Sequence, residues 1–347
     1  METLAEILDI PKNQLKFVET IKKTQIDKPA PKWTTANKII KNLKTLLLRE
    51  FTSSETGIPT LIVAPYAGHS SVIVDFKENQ SLVEALIKGG AGRVSAIDWK
   101  SATSDMKDLT IDNYLSDLNQ AVNALGGKVN LVGICQGGWL SAMYAARFKN
   151  KVNSLVLAGA PIDTSAGEGA IKFYARNYPI EFFEGMVALG GGLMPGDFVL
   201  AGFKSLHAYQ SYIGKFVDLY KNINDPAYLE KFETFERWYE YTLNLPGKWY
   251  LQVITELFKE NKFFNGRFVG LGKRLKLCDI NCPVYLLAGE SDDITPVKQV
   301  FNAEKYLGSR NIVKNTVAGG HIGLFMGSKT IKETWPEITK WIMANTK

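Results

Sequence analysis

The sequence predicts an α/β fold in which a mostly parallel sheet carries helices on both faces and a helical cap is inserted between two strands. Short apolar runs rich in β-branched residues alternate with amphipathic helical segments from residue 58 onward. This alternation stops near residue 162 and returns near residue 278. One run leads through Gly133-Ile134-Cys135-Gln136-Gly137 directly into a helical segment, which is the strand–turn–helix arrangement of a nucleophile elbow. Together these observations predict the α/β-hydrolase fold.

Residues 1–57 are predicted to form an N-terminal helical arm. Apolar residues recur there at helical spacings of three, four or seven, at Leu4, Leu8, Leu15, Val18 and Ile21. Pro29-Ala30-Pro31 separates this series from a basic segment over residues 38–49. We expect the arm to pack on the rest of the protein. A docking element for a partner and a surface anchor are the alternatives.

The hydrolase core is predicted over residues 58–161 and 278–347. Its strands are expected at residues 59–64, 94–99, 129–134, 152–158, 282–289 and 311–317. Its helices are expected at residues 82–88, where Ser81 is the N-cap, at 112–125, directly after Cys135, and at 334–344. Residues 162–277 are mostly helical in pattern and rich in aromatic residues, and they are predicted to form the cap.

Composition narrows the function classes. The chain has 347 residues and 46% hydrophobic residues, enough for one large core. A net charge of +6 without a block of Lys and Arg argues against nucleic-acid binding, although it suits an acidic ligand. The N-terminus does not resemble a secretory signal, and no apolar stretch is long enough to span a bilayer. Three cysteines do not make a disulfide framework, so a reducing, cytoplasmic location is expected.

The candidate catalytic residues follow the chain order of this fold: nucleophile, acid, histidine. Cys135 is the candidate nucleophile at the elbow, and His321 follows the last predicted strand, where the fold presents its catalytic base. Asp292 follows the strand before it and is the favoured acid. Asp293 competes for that role, but it is also placed to cap the helix that begins after Pro296.

The residues around the nucleophile suggest an oxyanion hole. The amide of Gln136, which follows the nucleophile, is one expected donor, and the loop that contains Ala67 and Gly68 supplies the other. His69 in that loop either points into the site or is a loop histidine without a role. Trp139 and Asp293 are further candidates for the substrate side.

The thiol itself narrows the chemistry. A Cys nucleophile forms a thioester intermediate. The free energy of forming it is close to zero when the acyl donor is another thioester and unfavourable when the donor is an ester. The elbow thiol therefore favours acyl transfer from a coenzyme A thioester over ester hydrolysis. No cofactor is expected apart from coenzyme A as part of the substrate. Cys278 and Cys282 are spaced like a metal pair, but no second pair completes a zinc site, so no metal is expected.

Several motifs resemble those of polyhydroxyalkanoate synthases, above all the short form that works with a second subunit. They are Gly133-Ile134-Cys135-Gln136-Gly137-Gly138, Leu109-Thr110-Ile111-Asp112-Asn113-Tyr114, Asp98-Trp99, Phe263-Phe264-Asn265-Gly266, Asp279-Ile280-Asn281-Cys282-Pro283-Val284 and Gly319-Gly320-His321-Ile322-Gly323. The resemblance covers roughly residues 58–345. It implies Cys135, Asp292 and His321 as the triad, 3-hydroxyacyl-CoA as the substrate, and a second synthase subunit or a homodimer as the assembly. It also implies that the acid helps to activate the 3-hydroxyl of the incoming unit.

Other motifs are similar to those of intracellular polyhydroxyalkanoate depolymerases, a sister family with a Cys elbow. They are Ala64-Pro65-Tyr66-Ala67-Gly68-His69, Pro161-Ile162-Asp163-Thr164, Trp249-Tyr250-Leu251-Gln252-Val253-Ile254 and Asp292-Asp293-Ile294. The synthases usually lack the Gly-His pair of the first motif. The leading prediction is a synthase-like acyltransferase located in the cytoplasm or at the surface of polyester granules. A depolymerase acting on the polyester and a non-catalytic granule- or partner-binding protein are the alternatives.

Overall fold

The computed structural model describes residues 12–52 and 57–346, and an eight-stranded sheet forms the centre of this part. In chain order the strands are β1 (Lys38–Asn42), β2 (Leu46–Glu50), β3 (Thr60–Val63), β4 (Val94–Trp99), β5 (Val129–Ile134), β6 (Val152–Ala158), β7 (Val284–Gly289) and β8 (Ile312–Val317). They lie side by side in the order β1-β2-β4-β3-β5-β6-β7-β8. From β4 to β8 every pairing is parallel, whereas β1 and β2 join the edge antiparallel.

Helices cover the sheet and form the cap. Those of the N-terminal segment and the core are α1 (Lys12–Ile21), α2 (Leu82–Lys88), α3 (Ile111–Ala124), α4 (Gln136–Arg147), α11 (Val297–Phe301), α12 (Gly323–Met326) and α13 (Trp335–Ala344). Those of the cap are α5 (Ala170–Asn177), α6 (Ile180–Leu189), α7 (Gly196–Leu206), α8 (Lys215–Lys221), α9 (Pro226–Tyr239) and α10 (Gly247–Gln252). The predicted α/β-hydrolase fold is thus confirmed, and the predicted core elements end within two residues of the observed ones.

The local sequence explains why the core elements form where they do. Strands β3, β5 and β7 are buried along their whole length, as expected of apolar strands in a parallel sheet covered on both faces. The Ser81 hydroxyl accepts a hydrogen bond of 2.9 Å from the amide of Glu84 and so caps α2, as predicted. Helix α4 is buried over most of its length because it packs against both β5 and β6.

The prediction of a wholly helical N-terminal arm over residues 1–57 is wrong for residues 38–50. These residues form β1 and β2, and Leu46 and Leu48 are fully buried where β2 pairs with β4. The run of three leucines hid the alternation, and pairing with the sheet edge decides the structure. The helical part is α1, whose Phe17 and Ile21 pack on a small cluster formed by cap residues. Leu4 and Leu8 lie outside the described residues.

The cap lies between β6 and β7 and consists of α5–α10 with short two-residue strands between them. Its aromatic residues pack in runs, for example Tyr174, Tyr178 and Phe182 with ring centroids 5.7 and 4.7 Å apart. Within residues 12–52 and 57–346, no helix has the length and apolar character needed to cross a membrane.

Candidate active site

Cys135 lies on the sharp turn between β5 and α4. Its backbone has φ 50° and ψ −119°, a conformation that costs an L-residue energy and directs the side chain toward the top of the sheet, where Cys135 is 9% exposed. Gly133 and Gly137 flank this turn, and at both positions a side chain would collide with neighbouring backbone atoms. A Cβ on Gly137 would lie 2.1 Å from the carbonyl oxygen of Val63, and one on Gly133 would lie 2.6 Å from the Cα of Gly138. The predicted nucleophile elbow is therefore present.

Asp292 and His321 form a hydrogen-bonded pair beside this elbow. The Nδ1–H of His321 donates to Oδ2 of Asp292 over 2.7 Å. The other carboxylate oxygen accepts from the amides of Ile294 and Thr295 at 3.0 and 2.7 Å, which holds the carboxylate in place. The Asp292 side chain is fully buried. Because both oxygens are engaged, Asp292 can orient the imidazole and stabilise its protonated form.

Asp293 occupies a different position from its neighbour. Its side chain is half exposed, and its Oδ2 lies 3.1 Å from Nε2 of His207 in the cap. It does not cap the following helix, whose N-cap is Pro296. The geometry therefore pairs Asp292, and not Asp293, with His321.

His321 is buried between Cys135 and Asp292. Burial alone disfavours the charged imidazole, but the negative charge of Cys135 and the hydrogen bond to Asp292 together outweigh burial and raise the pKa of His321 to about 10. The raised pKa of His321 thus favours an imidazolium next to the sulfur of Cys135. A thiolate is the reactive form of cysteine, so this pair suits nucleophilic attack at neutral pH.

The nucleophile faces a cavity of about 340 Å³ between the core and the cap, which we call the catalytic cavity. Its lining is mostly apolar. It includes Pro65, Ala67, His69, Ile73, Cys135, Phe203, Leu206, His207, Trp238, Tyr239, Asp293, Gly320, His321 and Phe325. A carbonyl group bound at Cys135 would therefore be surrounded mostly by apolar side chains.

A second cavity of about 600 Å³ lies under the cap, and we call it the cap cavity. Gln136 lines it at one end, and cap side chains such as Tyr178, Phe183 and Phe258 form its walls. Ala67, Phe203 and Leu206 line both cavities. An acyl group on Cys135 thus faces one apolar cavity and lies near a second cavity that shares three lining residues with the first.

The predicted oxyanion donors lie at this junction. Gln136 is the first residue of α4, and the first amides of a helix have no acceptor within the helix. Ala67 borders both cavities, and the carbonyl of the neighbouring Gly68 accepts a hydrogen bond of 2.8 Å from Leu243, which ties the loop to the cap. The amides of Gln136 and of this loop are therefore placed for oxyanion binding, which stays a prediction.

Two further predicted substrate-side residues differ in position. His69 lines the catalytic cavity. Trp139 does not line either cavity; it is 2% exposed and its ring stacks on Trp249 at 6.2 Å. The side chain, one helical turn beyond the nucleophile, fills the joint between α4 and α10, and the substrate-side role of Trp139 stays a prediction.

Sequence reasoning missed the cap residues around the nucleophile. Phe203, Trp238 and Tyr239 line the catalytic cavity, and nothing in their local sequence distinguishes them from other aromatic residues of the cap. His207 offered one signal, because the chain has only three histidines.

The other two cysteines lie outside both cavities. Cys278 is exposed, and burial raises the pKa of Cys282 to about 12, which keeps that thiol protonated. Within the described residues, no cluster of three or more His, Cys, Asp or Glu side chains is arranged to hold a metal ion.

The chain resembles several curated proteins over most of its length. It is 29% identical over 291 residues to a poly(3-hydroxyalkanoate) polymerase subunit PhaC of Allochromatium vinosum, covering 82% of this chain and 80% of that protein. It is 28% identical to the protein of the same name from Synechocystis sp., covering 98% of this chain and 93% of that protein. It is also 28% identical to the one from Haloarcula marismortui, covering 82% of this chain and 60% of that protein. The chain thus spans less than two thirds of the Haloarcula protein. The predicted resemblance to this synthase family is confirmed.

Solved structures support the fold. A bromoperoxidase from Bacillus anthracis aligns with a TM-score of 0.55 at 19% identity over 89% of this chain and 100% of that one. A monoacylglycerol lipase from Paleococcus ferrophilus aligns with a TM-score of 0.51 at 16% identity over 87% of this chain and 99% of that one. The curated relatives, together with this fold, confirm the expectation that the chain is an enzyme. A family profile matches residues 42–343. The chain belongs to the family described as "Protein of unknown function (DUF3141)".

Proposed function

We propose that this protein is a synthase-like acyltransferase that moves 3-hydroxyacyl groups from coenzyme A thioesters to the hydroxyl end of a growing polyester. The observation that carries the proposal is the strained elbow that holds Cys135 next to the Asp292–His321 pair. The curated relatives named as poly(3-hydroxyalkanoate) polymerases support the choice of substrate.

In the proposed first step, His321 takes the proton of Cys135, and the thiolate attacks the carbonyl carbon of the incoming thioester. The amides of Gln136 and Ala67 stabilise the oxyanion. The bond to the coenzyme A sulfur then breaks, and that sulfur leaves with the proton from His321. The acyl group is now a thioester of Cys135 and keeps most of its transfer potential.

In the proposed second step, a hydroxyl oxygen attacks the Cys135 thioester while His321 accepts the hydroxyl proton. An ester bond forms, the bond to Cys135 breaks, and the proton returns to the thiol. The presence of two neighbouring cavities supports this two-step scheme, because the coenzyme A thioester and the attacking hydroxyl must approach the same carbonyl carbon. In this scheme the cap cavity holds the acyl chain and the cap must open for a polymer to leave.

The test is the reaction of the purified full chain with 3-hydroxybutyryl-CoA. We expect a mass increase of one hydroxyacyl group on Cys135, release of coenzyme A, and formation of polyester. The Cys135→Ala variant should give none of these while it keeps its circular dichroism spectrum. Fast turnover of amorphous polyester without polymer formation from the thioester would instead support the depolymerase alternative.

Alkylation with iodoacetamide tests the non-catalytic alternative. If His321 holds Cys135 as a thiolate, we expect Cys135 to react before the exposed Cys278 and well before Cys282. An inert Cys135 in folded protein would support a binding protein that has kept the fold.

The assembly and the location follow from the same proposal. Several apolar side chains of the cap are exposed, among them Phe173, Leu189 and Tyr209. Such a surface suits contact with a polyester granule, a second synthase subunit or a second copy of the chain. Polymer synthesis by the chain alone, compared with synthesis after addition of a synthase partner subunit, tests whether a second subunit is needed.

A further inference from the structure

His69 is a buried histidine without a hydrogen-bond partner at one ring nitrogen. It lines the catalytic cavity together with Cys135 and His321. Its side chain is buried, and within the part of the chain that the structure describes no group lies in hydrogen-bonding geometry to Nε2. An unpaired buried polar atom costs stability, so its presence beside a nucleophile calls for an explanation.

Packing does not explain why this residue is a histidine. The ring stacks on Trp238 at 5.1 Å and on Tyr239 at 5.3 Å, and it lies 5.6 Å from the ring of Phe203. A phenyl ring would keep these stacks and would bury no unpaired nitrogen, and it would lose only the contribution of the Ala67 and Tyr239 carbonyls to the ring. The polar ring is therefore better explained by a ligand than by the core.

The backbone holds the ring in place from both sides. His69 forms a β-bridge with Thr242, and the indole N–H of Trp238 donates to the carbonyl of Ser70 over 3.0 Å. The loop that carries His69 is thus fixed to the cap segment that covers it. A side chain positioned in this way is prepared for a ligand before the ligand arrives.

The charge of the ring narrows the ligand class. Burial lowers the pKa of His69 to about 4, against smaller opposing effects of the carbonyls of Ala67 and Tyr239. A neutral imidazole offers one donor and one acceptor. Such a ring suits a hydroxyl group, which also donates and accepts, better than it suits a carboxylate or a phosphate.

We propose that His69 is a substrate-binding residue whose Nε2 forms a hydrogen bond with the hydroxyl group of a hydroxyacyl substrate in the catalytic cavity. The proposal rests on the proposed function, which supplies a substrate with that hydroxyl. An acyl group that lacks the hydroxyl leaves Nε2 unpaired, so the site should prefer the hydroxylated substrate.

The first experiment compares the rate of Cys135 acylation by 3-hydroxybutyryl-CoA and by butyryl-CoA in single turnovers of the full chain. The wild type should prefer the hydroxylated substrate by about three- to tenfold, the value of one neutral hydrogen bond. His69→Phe keeps the ring stack and should bring the ratio close to one. His69→Gln should restore part of the preference. An unchanged ratio in His69→Phe, or an equal loss with both substrates, would overturn the proposal.

The second experiment does not depend on turnover. In Cys135→Ala protein labelled with ¹⁵N-histidine, only three side chains give signals, and His69→Phe identifies one of them. Methyl 3-hydroxybutyrate should shift the Nε2 resonance of His69, whereas methyl butyrate should not. Failure of acylation together with this selective shift would reject the proposed function but keep the hydroxyl site. Equal shifts with both esters, or none at saturation, would reject the site itself.

Discussion

The catalytic cavity is lined by three histidines, and two of them differ in their charge. His321 lies on the side that we call the core wall, and His69 packs on cap residues on the side that we call the cap wall. His321 on the core wall donates to the buried carboxylate of Asp292 and adjoins Cys135, and its pKa is raised to about 10. His69, on the core loop that follows β3, stacks on aromatic rings of the cap, and burial lowers its pKa to about 4. The difference shows that charged partners, and not burial by itself, decide which imidazole is protonated.

The largest expected effect comes from removing the charged imidazole. His321→Ala should slow acylation of Cys135 by at least about a thousandfold, because the thiol loses its base and its counter-ion. It should slow alkylation at pH 7 by about thirtyfold, because a free thiol is still a few per cent ionised there. His69→Phe should leave alkylation within about threefold of the wild type. Rates of iodoacetamide modification followed by mass spectrometry check both. Similar losses in the two variants would show that the walls do not differ in the assumed way.

The carboxylate on the core wall should control the pH dependence of the thiol. Asp292 raises the pKa of His321, so Asp292→Asn should lower that pKa and make the imidazole a weaker base for Cys135. We expect alkylation of Cys135 to fall about tenfold or more at pH 6.5. The difference should shrink toward pH 9.5, where a free thiol ionises without help.

Asp293→Asn is the matched control for this prediction. Asp293 is adjacent in sequence, but it pairs with His207 in an exposed contact, and exposed pairs contribute little. Its substitution should leave the pH profile of alkylation in place. A profile that moves as far as in Asp292→Asn would assign the acid role to Asp293.

The sequence could predict the core wall but not the cap wall. Cys135, Asp292 and His321 follow strand ends of a parallel sheet, and such ends meet at one edge whatever the rest of the chain does. The environment of His69 depends on Trp238 and Tyr239, which come from a helix far along the chain. The positions of these two residues depend on how the cap packs on the core, and the local sequence does not predict that packing.

At the edge of the sheet, too, the local sequence does not decide the secondary structure. Residues 46–48 are three consecutive leucines, which fit a helix as well as a strand by pattern alone. Pairing with β4 makes them a strand and buries Leu46 and Leu48. The contact of Trp139 with Trp249 also joins the core to the cap, and the local sequence does not predict it.

The two walls should respond to pH in opposite directions when the free energy of unfolding is measured. Because the pKa of His69 is lowered, the unfolded chain binds a proton first, and stability falls as the pH drops from 6.5 to 4. The loss should reach about 3 kcal/mol at pH 4, at 1.36 kcal/mol for each unit of pKa. The raised pKa of His321 instead stabilises the fold below pH 6.5 and loses this effect as the pH rises toward 10.

His69→Phe isolates the cap-wall part of this response. The variant should lack the acid-side loss between pH 6.5 and 4 and should be at least as stable as the wild type at pH 7, because it buries no unpaired nitrogen. Urea unfolding followed by tryptophan fluorescence at pH 7 and pH 4.5 measures both values. A stability curve parallel to that of the wild type would mean that His69 is not held neutral by its surroundings.

The smallest expected effect concerns the cap cavity. Gly202 on α7 lines this cavity, and an added Cβ meets no atom within 4 Å, so Gly202→Leu should fill space without strain. We expect the ratio of 3-hydroxyoctanoyl-CoA to 3-hydroxybutyryl-CoA acylation rates to fall by about tenfold, because the longer chain needs the filled volume. Gly185→Leu is the matched control: Gly185 is exposed on α6, its Cβ position is equally free, and it does not line the cavity. Both variants gain the same helix propensity, so only the position relative to the cavity differs. An equal ratio in the two variants would place the acyl chain in the catalytic cavity beside His69, and the cap wall would then contact both the hydroxyl group and the chain that carries it.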